Sequence, residues 1–130
     1  MILDSSAIVA ILRNEPDRPV LVQAMEDHLV RRISAANYLE VCILTDSNKN
    51  PTLSRELDDF FVNSEVVIEP VTAEQARIAR EAYRDFGKGS GHPAKLNFGD
   101  CFAYALAKSK REPLLCKGDD FVHTDVKTIP

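Results

Sequence analysis

Cysteine is scarce and unpaired in this sequence. Cys42, Cys101 and Cys116 are odd in number, far apart and form no CxxC pair. That excludes a disulfide framework and a zinc knuckle, and it fits a reducing cytoplasm. Long apolar runs are missing as well: the longest uncharged one, Cys101 to Ala107, falls far short of the roughly 18–20 residues a membrane span needs. Met1-Ile-Leu-Asp4 has no basic lead-in, so neither signal peptide nor anchor is expected. Positive charge is in deficit, with 16 Lys+Arg against 20 Asp+Glu. On charge alone this argues against a nucleic-acid partner, because phosphate binding draws on a basic surface. The three histidines, His28, His92 and His123, are scattered without metal-ligand spacing.

What is present is a chain of 130 residues, 45% hydrophobic, large enough for one compact domain over 1–130 with a core that needs no metal or disulfide. Met1 to Leu3 reads as a short strand ending at Asp4, and Ser5-Ser6 offers a cap for a helix over Ala7–Leu12. Pro16 and Pro19 end that helix; Val20, Leu21, Ala24 and Met25 follow at helical spacing, and a strand is predicted over Leu29–Ser34. A helix over Ala35–Leu44 comes next, then one after Asn50-Pro51 whose stripe Leu53, Leu57, Phe60 and Phe61 is core-facing. Glu65–Val71 reads as a strand, and Thr72-x-x-Gln75 caps a helix through about Asp85. Lys88 to Leu96, centred on Gly89-Ser-Gly91-His-Pro93, is a loop, and Asn97 opens the most apolar helix. Pro113–Cys116 is a strand, Lys117–Phe121 a turn and Asp125–Ile129 a last strand. The alternation predicts an α/β class, a three-layer α/β/α sandwich with a mainly parallel central sheet. Ligands of such sheets lie beyond the carboxyl ends of the strands.

Three acids interrupt runs that otherwise read as buried: Asp4 after Met1-Ile-Leu, Glu40 inside Tyr38-Leu-Glu-Val-Cys-Ile-Leu44, and Asp100 before Cys101-Phe-Ala-Tyr-Ala-Leu-Ala107. A buried carboxylate without a partner costs several kcal/mol, so it neutralises, finds a base or binds a cation. Singly, each has a bland explanation as a helix cap, a first-turn acid or an ion-pair member. Jointly, with Asp119 and Asp120 after the Leu114-Leu-Cys116 strand, they point to one end of the sheet. An all-oxygen donor set selects hard cations, Mg²⁺ or Mn²⁺. Such ions clamp phosphate oxygens and make an acidic surface attractive to RNA, with Lys88, Lys95 and His92 on the glycine loop as candidate phosphate contacts.

The motifs Asp4-Ser-Ser-Ala7 after a strand, Tyr38-Leu-Glu40 opening a helix, Asn97-Phe-Gly-Asp100-Cys and Pro113-Leu-Leu-Cys-Lys-Gly-Asp-Asp-Phe121 together resemble the PIN-domain ribonucleases, specifically the VapC-type toxins of bacterial toxin–antitoxin pairs. The resemblance runs the full length of the chain. It implies a PIN-like fold and a cytoplasmic endoribonuclease dependent on Mg²⁺ or Mn²⁺, with Asp4, Glu40 and Asp100 as the central acids. Asp4 and Asp100 would hold the metal most directly. Glu40 would complete the site or orient the attacking water, and Ser6 would hold the Asp4 carboxylate or a bound water. The fourth acid matches Asp120 best, with Asp119 as the adjacent alternative. A homodimer and a VapB-like antitoxin that places a basic residue in the site are implied as partners; the glycine loop here carries less arginine and histidine than in many relatives. Two readings from other classes compete. One is a receiver-like phosphoacceptor domain, whose lysine Lys117 imitates; the other is a non-enzymatic interaction domain.

Overall fold

The computed structural model describes residues 1–129. Five short strands, β1 (Ile2–Leu3), β2 (Arg32–Ser34), β3 (Val67–Glu69), β4 (Leu114–Leu115) and β5 (Thr128–Ile129), alternate with six helices. The helices are α1 (Ser5–Leu12), α2 (Arg18–Glu26), α3 (Ala35–Asp46), α4 (Pro51–Asn63), α5 (Ala73–Phe86) and α6 (Phe98–Lys110). The sheet order is β3-β2-β1-β4-β5 and every pair is parallel. The chain builds outward from β1 through β2 to β3, then returns to lay β4 against the other edge of β1. That reversal opens a crevice at the carboxyl ends of β1 and β4, the topological switch point of an open parallel sheet.

Strand alternation makes three layers out of very few residues. In β1, Ile2 turns to the core under α5 and α6, while Leu3 turns to the core under α1, α2 and α4. In β4, Leu114 and Leu115 divide the same way. All four are fully buried, as expected of a parallel sheet covered on both faces. Leu57 is buried, and Phe60 and Phe61 pack on the second core, so the α4 stripe belongs to the interior.

The helix starts follow side-chain capping. Ser34, Asn50, Thr72 and Asn97 each accept a main-chain N–H from the first turn they precede. Asn97 and Asp100 form a reciprocal box in which Asn97 Oδ1 accepts from Asp100 N and Asp100 Oδ2 accepts from Asn97 N, both at 2.9 Å. The α1 cap differs from the sequence expectation: Asp4 is the cap and Ser5 already lies in the helix. The strand ends in extended backbone at Asp4, and the Asp4 carboxylate reaches Ser6 N at 3.0 Å, so the helix starts two residues earlier than expected. The strands are also shorter than expected. β3 is flanked by Glu65 in the left-handed region and by Pro70, which has no N–H for a ladder. The Asp125 carboxylate is drawn to Tyr104 and Lys108, and β5 begins only at Thr128.

The glycine loop is closed at its base, since Lys88 N donates to Leu96 O at 2.8 Å and Leu96 N to Phe86 O at 2.9 Å. Gly89 and Gly91 adopt positive φ to turn it, and Ala94 and Leu96 plug into the core. Among the described residues no helix is long and apolar enough to cross a membrane.

Arg31 ties helix ends together: its guanidinium donates to Met25 O and His28 O at the end of α2 and to Ser64 O after α4, each at 2.9 Å. These carbonyls lie at helix ends, where intrahelical donors run out. Arg31→Ala is expected to lower unfolding free energy by about 1–3 kcal/mol, measured by urea denaturation; an unchanged midpoint would show that water replaces the guanidinium freely.

Candidate active site

Helix starts deliver Asp4 and Asp100 to the crevice, and the second turn of α3 delivers Glu40. Asp4 follows β1 and caps α1; Asp100 sits in the first turn of α6; Glu40 lies on α3, which Ser34 starts at the end of β2. The amino ends of α1 and α6 therefore meet the carboxylates, and their unpaired N–H groups partly offset the crowding of negative charge.

Asp4 and Asp100 are 4% and 9% exposed, and each commits one oxygen to its cap. Asp4 Oδ2 takes Ser6 N and Asp100 Oδ2 takes Asn97 N, leaving Oδ1 of each without a hydrogen bond from the protein. Glu40 Oε1 accepts from the Ser5 hydroxyl and, at 3.4 Å, from Asn37 Nδ2. Asn37 Nδ2 also donates to Gly99 O at 3.0 Å, which joins α3 to the first turn of α6. The Ser6 hydroxyl oxygen accepts from Lys117 N at 2.9 Å, and hydrogen bonding from Ser6 favours the ionised form of Asp4.

No Lys, Arg or His among the described residues forms an ion pair with Asp4, Glu40, Asp100, Asp119 or Asp120. Lys117, next to the crevice in sequence, instead reaches Glu15 at 3.2 Å and Asp17 at 3.4 Å in the turn between α1 and α2. Uncompensated burial shows in the protonation of the acids. Burial raises the Asp4 pKa, Ser6 resists the rise, and Glu40 adds repulsion. Asp100 is pushed up to about 7, first by burial and then by the charges of Asp4, Asp120 and Glu40, against the Asn97 hydrogen bond. Cys116, at the end of β4, is pushed up to about 12 by burial and by Asp4, Asp120, Asp100 and Asp119, which keeps it a neutral thiol. As they stand, no three of the described His, Cys, Asp or Glu side chains close on a common point as metal ligands do. The acids are coupled by their field rather than by contact.

The predicted acids thus converge. Asp119 and Asp120 are both exposed on the turn after β4, and Asp120 is the one whose charge acts on Asp100. The predicted basic contacts do not join the cluster: Lys88, His92 and Lys95 neither hydrogen-bond nor ion-pair with its carboxylates. His92 serves the loop, its ring edge-on to Phe86 at 4.9 Å between centroids and its Nδ1 accepting Ala94 N at 3.1 Å. The sequence reading missed Ser5, Asn37 and Gly99. Asn37 lies three residues before Glu40, a spacing that places two side chains on one helix face, and Gly99 is a glycine inside a helical run.

Comparison with known proteins agrees with this architecture. The PIN-domain family model matches residues 1–127. Ribonuclease VapC28 of Mycobacterium tuberculosis is 58% identical over 127 residues, which is 98% of this chain and 96% of the relative. Among solved structures, the Mycobacterium tuberculosis VapC20 toxin, described as cleaving the sarcin–ricin loop, superposes with a TM-score of 0.76 at 16% identity, covering 98% of this chain and 97% of that one. A toxin–antitoxin complex from Klebsiella pneumoniae gives a TM-score of 0.68 at 16% identity, covering 92% and 88%. An open parallel sheet with acids gathered at its switch point, and close sequence relatives along nearly its whole length, place this chain in the PIN-domain family, among the VapC ribonucleases.

Proposed function

We propose that this ribonuclease cuts RNA phosphodiester bonds at the Asp4, Glu40 and Asp100 cluster with a divalent cation, Mg²⁺ or Mn²⁺, held there, and that it is the toxin of a toxin–antitoxin pair. One observation carries the site assignment: two buried carboxylates without a basic partner each keep one oxygen free of the protein. A donor set made only of oxygen, with its neighbouring thiol held protonated, suits a hard cation.

A bound cation would supply charge to the phosphate oxygens and lower the pKa of water for in-line attack. Asp4 and Asp100 would hold it through Oδ1 while their Oδ2 atoms keep α1 and α6 in place. Glu40, held at Oε1, would present Oε2 to orient and accept a proton from the attacking water. Asp120 would complete the acidic set from the turn after β4, with Asp119 beside it as the alternative. Ser6 would restrain the Asp4 carboxylate. Lys88 and Lys95 would meet backbone phosphates from the stapled loop, and His92 would have only Nε2 to offer.

The partners follow from surface chemistry. An antitoxin side chain with a guanidinium would satisfy the same free oxygens that the cation serves, and the toxin–antitoxin complex of the same fold supports such a partner. Leu39 and Ile43, one turn apart on α3, are 57% and 56% exposed, and Phe98 at the start of α6 is 78% exposed. Apolar exposure of this extent supports self-association into a homodimer. The receiver-like alternative is disfavoured, because Lys117 is engaged away from the crevice and β2 ends in Ser34 rather than an acid.

Asp4→Asn and Asp100→Asn are each expected to reduce cleavage of total RNA in Mg²⁺ or Mn²⁺ by at least about a hundredfold, to the level seen in EDTA. Their folding should be retained, since each removes repulsion from the crevice; parental rates in either variant would refute the site. Asp120→Asn should impair cleavage more than Asp119→Asn, and the reverse ranking would transfer the fourth role.

The raised Asp100 pKa also makes a stability prediction for the protein in EDTA. The folded state keeps a proton that the unfolded state loses near pH 3.8, so stability from this group is full below that pH, declines as pH rises through about 7, and is then level. Thermal melting from pH 4 to 8 should show that decline, Asp100→Asn should flatten it, and Mg²⁺ should offset it at the alkaline end. A wild-type profile as flat as that of the variant would contradict the placement of Asp100.

A further inference from the structure

Glu40 is gripped unusually closely for a side chain proposed to act on water. One oxygen, Oε1, is bonded by the Ser5 hydroxyl from α1 and by Asn37 Nδ2 one turn earlier on α3. Asn37 is 1% exposed, and its amide also holds Gly99 O on α6. That contact fixes the orientation of its amide, because the atom facing a carbonyl must be the nitrogen. On the other side, the Glu40 carboxylate lies against the bare Cα of Gly99. A Cβ built on Gly99 would stand 3.1 Å from both Oε1 and Cδ of Glu40 and closer still to Oε2. The three residues come from three helices, and none of them is an acid or a base.

We infer that Ser5, Asn37 and Gly99 form a seat for Glu40, acting as positioning residues that hold Oε1 in place and leave Oε2 as the oxygen offered to the cation and its water. This rests on the metal-site reading above. Two neutral donors on one oxygen fix its position without placing a competing positive charge in the crevice. Gly99 sits in the first turn of a helix, where alanine is the better helix former, so local folding gives no reason for glycine. Accommodating the neighbouring carboxylate does. The atoms a new methyl would meet are the end of a flexible side chain, so the site would yield before the fold.

Gly99→Ala therefore separates the seat from the scaffold. Titration of purified protein with Mn²⁺ by calorimetry, together with thermal melting in EDTA, is expected to show affinity reduced about tenfold while the EDTA melting temperature stays level or rises. Asn37→Ala and Ser5→Ala are expected to weaken Mn²⁺ binding to a similar degree, and their double variant less than additively because both donors act on one oxygen. Glu40→Gln sets the scale. If Glu40→Gln binds Mn²⁺ like the wild type, the role given to Glu40 in the metal site fails, and the seat with it. If Glu40→Gln weakens binding while Gly99→Ala and Asn37→Ala do not, the seat alone is wrong. A fall in melting temperature with unchanged Mn²⁺ affinity would reduce Asn37 to an ordinary link between helices.

Discussion

Negative charge without a basic partner, gathered where β1 and β4 part, is the constraint on which the rest of this structure depends. Burial, together with the charge of the neighbouring acids, pushes Asp100 up to about 7 and raises Asp4. Ion pairs, the usual remedy, are absent from the crevice among the described residues. The charge is instead managed by helix starts: Asp4 and Asp100 are themselves capping residues, and each receives main-chain N–H groups that belong to no other acceptor. Capping and cation binding then use different oxygens of the same carboxylate. The acids hold their helices without spending the atoms that a cation needs.

The same economy explains why so small a sheet suffices. Two residues in β1 and two in β4 face opposite cores, and the next residue of each chain segment already leaves the sheet. Asp4 N donates to Leu115 O at 2.9 Å, and Lys117 N donates to Ser6 Oγ. The two strand ends that carry acids are thereby pinned to each other across the switch point. Lys117 extends the connection by pairing with Glu15 and Asp17, which anchors the turn bearing Asp119 and Asp120 to the α1–α2 turn rather than to the acids. These exposed pairs contribute little to stability, so their effect is on the position of the turn.

Much of this was legible in the sequence, because the signals were local. An acid after a short apolar strand, an Asn three residues before an Asp, and a Pro after an Asn each mark a helix start by chemistry that operates within one turn. Strand lengths were overestimated, since pairing depends on where neighbouring strands begin and on Pro70 and Glu65 flanking β3. The start of α1 is less legible, because Asp4, Ser5 and Ser6 are all capping residue types in succession and only the extended backbone at Asp4 selects among them. The Glu40 seat was out of reach: Ser5, Asn37 and Gly99 come together only when three helices pack, and a glycine in a helical run gives no hint of which side chain needs its space. The glycines mark the loop at 88–96, but they do not tell that burial of Ala94 and Leu96 and the hydrogen bonds at its base close it.

The central claim is that Asp4 and Asp100 share a divalent cation through the oxygens their caps leave free. Anomalous diffraction from crystals grown with Mn²⁺ tests it most directly. The account predicts a single strong peak within coordination distance of Asp4 Oδ1 and Asp100 Oδ1, about 2.0–2.3 Å from each, with Glu40 Oε2 turned toward it and both Oδ2 atoms still on Ser6 N and Asn97 N. A peak bound elsewhere, or Mn²⁺ bound only after those caps break, would contradict it.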